Sequence, residues 1–155
     1  MKGFLLAIAV LVLPLHSYSA ELKLSCNMRS KYTMISGSSE TSAGTAMVEI
    51  MDYGKRKFIF ITSTIEDVNN ISVVSHIADA PGWKFDFHDS SNDGKYEITN
   101  FRKSFAENVE SYKRVVLDRN TGNIYINTQR TSQLGSSSLI ANGSCEKIDS
   151  QKKKF

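Results

Sequence analysis

The chain reads as an all-β protein, a single antiparallel meander barrel of about eight to ten strands, on three observations. Apolar and polar residues alternate with a period of two along most of it, and glycine, proline, asparagine and serine clusters separate the alternating runs. The only two cysteines, Cys26 and Cys145, stand near the two ends. An even pair in an exported chain is normally joined, so the connectivity is forced, and a disulfide brings two α-carbons within about 7 Å. First and last strands that meet in a meander make a closed or nearly closed barrel, the preferred reading. A two-sheet sandwich with neighbouring ends satisfies the same constraint.

The chain opens with the charged Met1-Lys2-Gly3, the apolar run Phe4–Leu15 and the small or polar His16-Ser-Tyr-Ser-Ala20. That is the order of a secretory signal peptide over residues 1–20, with cleavage after Ser19 or Ala20. The apolar run falls short of the roughly twenty residues a spanning helix needs, so no transmembrane anchor is expected. Residues 21–150 then form one disulfide-closed domain and 151–155 a basic tail. The formal net charge is +3, and loss of Lys2 lowers it by one. So near-neutral a balance points to no polyanionic partner.

The strand candidates, in order, are 22–28, 31–35, 45–52, 57–64, 71–78, 83–88, 95–101, 114–118, 123–130 and 139–148. Trp83-Lys-Phe-Asp-Phe-His88 is the clearest, with aromatic and ionisable residues in strict alternation. Between the runs lie turn texts such as Tyr53-Gly-Lys55, Asn92-Asp-Gly94 and Arg119-Asn-Thr-Gly122. One segment breaks the pattern. Ser104-Phe-Ala-Glu107 resembles a capping box, and Phe105, Val109 and Tyr112 fall at helical spacing, which predicts a short helix near 104–112 or else a polar loop.

No motif supplies a cofactor site, and none is expected. Past the signal segment the histidines are His76 and His88. If 71–78 pairs with the strand from Trp83 so that apolar faces coincide, His76 lies opposite Asp86, with Lys84 and His88 on the same face. A histidine oriented by an aspartate can act as a general base, and two histidines with a carboxylate can hold zinc, so His76, Asp86 and His88 are the catalytic candidates. The competing reading is a solvent-facing strand that is polar for that reason alone. Ser72 shares the face but lies four residues from His76 along one strand, roughly 13 Å, too far for a serine triad.

Asp89, Ser91 and Asp93, followed by Gly94, partly match a calcium loop and are the metal candidates. The bidentate position is Asn100 and the flanks read as strands, so a hairpin turn explains the same residues. The alternating aromatics Phe58, Phe60, Trp83, Phe85 and Phe87 are expected in the core. No basic stripe interleaves with them, and nucleic-acid binding is not expected.

Val115-Val-Leu-Asp-Arg-Asn-Thr-Gly122, Asn142-Gly-Ser-Cys145 and the basic end closing on Phe155 resemble a pattern in small exported bacterial β proteins of unassigned function. The resemblance covers the last third of the chain and implies compartment and fold. The end-placed cysteines also resemble the plan of C-type periplasmic lysozyme inhibitors, but the Ser-Gly-x-x-Tyr type loop of that class is absent, the nearest text being Ile35-Ser-Gly-Ser-Ser39.

These readings lean away from an enzyme and toward an exported, periplasmic or secreted, non-enzymatic binding protein. Its partner would be another exported protein or a small ligand, met at a barrel mouth or through the polar loops Ser36–Gly44 and Thr131–Ser138. The alternatives are a hollow barrel carrying a small apolar ligand, and an enzyme built on His76, Asp86 and His88.

Overall fold

A computed structural model of the chain describes residues 20–53, 56–76 and 81–148. The expected signal segment up to Ser19, the basic tail, and the Gly54-Lys55 and Ile77–Ala80 stretches lie outside the described residues. Nine antiparallel strands form one nearly closed, barrel-like sheet. They are β1 Ala20–Thr33, β2 Ser39–Asp52, β3 Lys57–Ser63, β4 Ile71–Val74, β5 Trp83–Asp89, β6 Lys95–Ser104, β7 Val109–Asp118, β8 Asn123–Ser132 and β9 Gly135–Lys147. No described helix is long and apolar enough to cross a membrane.

Alternation makes these strands and selects their inner face. Val48 and Ile50 of β2, Ile59 and Ile61 of β3, Ile98 of β6, Val115 and Leu117 of β7, and Ile124 and Ile126 of β8 are buried and pack into one cluster. Each such side chain contributes about 1.5–3 kcal/mol relative to exposure. A short 3-10 turn, Glu66–Val68, fills the interior from one side, with Ile65 and Val68 buried. It fits because position 44 on β2 is glycine: a β-carbon there would stand 2.5 Å from Thr64 Oγ1 and 2.9 Å from Ile65 Cγ1.

The sheet runs β4-β3-β2-β1-β9-β8-β7-β6-β5. Cys26 lies directly opposite Cys145 across the β1–β9 pair, 4.0 Å between α-carbons, and the two are joined. The bridge expected between the chain ends therefore sits mid-sheet, and the seam falls between β4 and β5, neighbours in sequence. Counting explains why. Nine strands of strictly alternating direction would leave β1 and β9 parallel, yet they pair antiparallel. One consecutive pair must run the same way, and it is β4 and β5, each antiparallel to its own neighbour. Two parallel strands cannot be joined as a hairpin. This overturns the pairing expected between 71–78 and the strand from Trp83.

Two side-chain contacts stitch the seam. Asn100 of β6 accepts from the Val74 N–H at 3.0 Å and donates to the Val74 carbonyl at 2.6 Å, so one amide does the work of a missing strand. At the other end Lys57 pairs with Asp89 at 2.7 Å. Asn100→Ala is expected to lower unfolding free energy by about 1.5–3 kcal/mol, since it leaves two part-buried backbone groups without partners. Denaturant melts, together with faster hydrogen exchange at the Val74 amide, check this.

Three other expectations are corrected. Residues 105–108 form the turn of a β6–β7 hairpin and 109–112 belong to β7, so the short helix is absent. The capping signal was local: the Glu107 N–H does bond Ser104 Oγ at 3.3 Å, but Asn108 at φ 50 turns the chain back. Second, the polar stretches read as loops are mostly strand. Ser39–Gly44 belong to β2 and Gly135–Ser138 to β9; residues 35–43 are exposed on both faces and the β8–β9 end is polar, so no apolar alternation marked them. Third, the aromatics are not core. The interior is aliphatic apart from Tyr96, while Phe58 and Phe60 take the outer face of β3, Phe60 being 37% exposed, and Trp83, Phe85 and Phe87 are half-buried.

On the outer face Glu97 is nearly covered, its side chain 12% exposed, and it accepts from Lys95 and from Nε and Nη2 of Arg114. The Lys95 ammonium first, then Arg114, hold its carboxyl below the ordinary glutamate value. A depressed carboxylate stabilises the fold above its unfolded pKa and ceases to as pH falls through the folded one. Glu97→Gln is therefore expected to cost about 1–2 kcal/mol at neutral pH. That difference from the parent should vanish in acid, as pH falls through the depressed folded pKa of Glu97, as read from urea melts across pH.

Candidate functional site

The inner face changes character along the barrel. From β6 to β9 one cross-strand row is wholly apolar, Ile98, Val115, Ile126 and Ala141, with Asp89 of β5 beside Ile98. The next is Phe87, Asn100, Lys113, Thr128 and Leu139, and the one beyond it is Phe85, Arg102, Ser111, Arg130 and Ser137. On β6, β7 and β8 these two steps, toward the end where the β6–β7 and β8–β9 hairpins turn, replace hydrocarbon with polar and cationic groups at positions of core parity. Strand pairing alone brings Arg102, Lys113 and Arg130 to one mouth.

Lys113 is half-buried, and among the described residues its ammonium makes no hydrogen bond or ion pair. Burial first, and then the neighbouring Arg102 charge, push its pKa below the ordinary lysine value. Arg102 has no carboxylate partner; its guanidinium lies 4.8 Å from the centroid of the Trp83 ring. Trp83, Phe85 and Phe87 stack down the inner face of β5 at centroid spacings of 6.2 and 5.8 Å. Two clefts open here and share Arg102, Ser111 and Lys113 as a wall. One, about 120 Å³, lies against Phe85, Phe87 and the outer side of β4; the other, about 290 Å³, reaches Trp83, Tyr32 and Arg130.

The histidine candidates are placed apart from this mouth. Asp86 and His88 sit exposed on the outer face of β5 with Lys84, opposite Phe101 and Thr99 of β6. His76 is exposed just past the end of β4, and the seam leaves it no register with Asp86. Asp89, Ser91 and Asp93 fall in the β5–β6 hairpin, where the oxygens of Asp89 and Ser91 are engaged. Asp89 accepts from Lys57 and from the Ser91 N–H, Ser91 Oγ accepts from the Glu97 N–H, and Asn92 accepts from the Gly94 and Lys95 N–H groups. Burial works to raise the Asp89 pKa, but its bonds to Lys57 and Ser91 prevail and hold it low. Among the described residues, no three His, Cys, Asp or Glu side chains gather as a metal would require.

The interior that a hollow carrier needs is filled by the aliphatic cluster. A wider concavity, about 940 Å³, is an open groove running past Asn27, Arg29, Tyr125 and Asn142. The mouth residues escaped the sequence reading although a signal was present. Ile98-x-Asn100-x-Arg102 and Ser111-x-Lys113-x-Val115 carry the core parity straight into polar residues. Neither a family model, nor a curated protein, nor a solved structure matches the chain.

Proposed function

We propose that this is an exported, non-enzymatic binding protein that takes an anionic ligand at the barrel mouth beside the seam. Export rests on the signal-like start and suits the Cys26–Cys145 bridge, which persists in oxidising compartments. The observation that carries the binding reading is Lys113: a half-buried cation on the inner face, beside a second cation and in no ion pair, although Glu107 lines the wider of the two clefts. An uncompensated ammonium in partial burial is unfavourable in the empty protein, and an anion relieves it. The stacked rings of β5 add an apolar platform, so an anion with an apolar part fits best.

Trp83 is the only tryptophan and stands at the site, so energy transfer from it reports binding directly. The probes are 8-anilinonaphthalene-1-sulfonate and its neutral analogue N-phenyl-1-naphthylamine. The sulfonate should bind at least tenfold more tightly, a difference of about 1.4 kcal/mol, and Lys113→Met should abolish that preference. Equal binding of the two dyes, or an indifferent Lys113→Met, would overturn the proposal.

A further inference from the structure

The sheet ends at β5, and that edge is built to accept another strand. Antiparallel pairs alternate hydrogen-bonded and open positions. Phe105 donates to the Gly82 carbonyl and Ser90 to the Glu97 carbonyl, so the even-numbered residues of β5 bond to β6. The backbone groups of Trp83, Phe85, Phe87 and Asp89 then point to the other side, where among the described residues β5 has no strand partner. The other sheet edge differs: β4 is four residues long, and Asn100 occupies both the N–H and the carbonyl of Val74. Among the described residues, only β5 offers a seven-residue edge.

We infer that the ligand is an extended acidic peptide segment of another protein, added antiparallel along the free edge of β5 with an inward carboxylate reaching Lys113 and Arg102. The inference rests on the anion-binding reading above and names the ligand class. Main-chain bonds to β5 supply affinity, and alternate side chains, in line with Phe85 and Phe87, enter the cleft of about 120 Å³ beside Ser72 and Val74. Charge selects the occupant. A second copy pairing through its own β5 would bring Trp83, Phe85, Phe87 and Asp89 to this face, and the Asp89 carboxylate is already held by Lys57. Lys113 would stay unmatched; an acidic strand matches it.

The test is competition against the anilinonaphthalene sulfonate on the full mature protein, followed through Trp83. The competitor is a blocked heptapeptide alternating valine and threonine, with one central glutamate. Its control carries N-methyl groups on alternate residues of the hydrogen-bonding edge, which removes main-chain donors and leaves the charge. Displacement by the first peptide, at least tenfold weaker for the methylated one and for the glutamine version, is expected. Equal displacement by the parent and methylated peptides, or by neither while the dye still depends on Lys113, would overturn strand addition and leave the anion site standing. Loss of the dye's own preference for charge would remove both. A concentration-dependent dimer in sedimentation that excludes the peptide would assign the edge to a second copy and overturn the inference.

Discussion

Replacing both cysteines, Cys26→Ala with Cys145→Ala, is expected to lower unfolding free energy by about 4–5 kcal/mol, the largest effect of any change considered. The bridge spans a sequence separation of 119, so it removes the entropy of a very long loop from the unfolded chain. It also joins the one strand pair, β1 with β9, that brings distant parts of the sequence together; every other pair is a hairpin or a local connection. Without it, the central pairing of the sheet must form against the full cost of closing the chain. Alanine is the proper replacement because Cys26 is buried, and serine would bury a hydroxyl there. Guanidinium melts of the double variant and the parent measure the difference. A loss under about 1 kcal/mol would mean that the unfolded chain already holds its ends together.

Gly122→Ala is expected to cost about 2–4 kcal/mol, the second large effect. The β7–β8 turn begins at Asp118, whose carboxylate accepts from the N–H groups of Asn120 and Thr121, bonds that hold its pKa low. The turn ends with Gly122 at φ 72, where a side chain is strained. A β-carbon there would also stand 2.4 Å from the Cys145 carbonyl oxygen. That oxygen cannot move freely, because the Cys145 N–H donates to the Gly122 carbonyl at 2.9 Å and its side chain is bridged to Cys26. The substitution must therefore break this contact or displace β9. Thermal melts of Gly122→Ala give the size of the effect. Asn120→Ala, which leaves the close approach untouched, should change stability far less.

Most of the strands could be read directly from residues. Val48 with Ile50, and Ile124 with Ile126, announce buried strand faces because a pleat repeats every two residues. Asn92-Asp-Gly94 and Arg119-Asn-Thr-Gly122 announce turns because their side chains and glycines satisfy turn backbones locally. The Cys26–Cys145 bridge followed from there being no other cysteine to choose. These features depend on neighbours in sequence, or on elimination, and need no knowledge of the fold.

What needed the tertiary structure was everything set by how the strands are counted and which face turns inward. In Lys57-Phe-Ile-Phe-Ile61 both faces are apolar, so periodicity could not choose between Phe58 with Phe60 and Ile59 with Ile61; packing against β2 and β4 chose the isoleucines. The direction of β5 relative to β4 is a property of the closed arrangement. An odd number of strands with antiparallel ends forces one parallel neighbour, and that placed the seam beside Trp83 and kept His76 out of register with Asp86. The gathering of Arg102, Lys113 and Arg130 has the same origin. They lie on three strands and meet only through the β6–β7–β8 register, a long-range hydrogen-bond pattern that no local run of residues can specify.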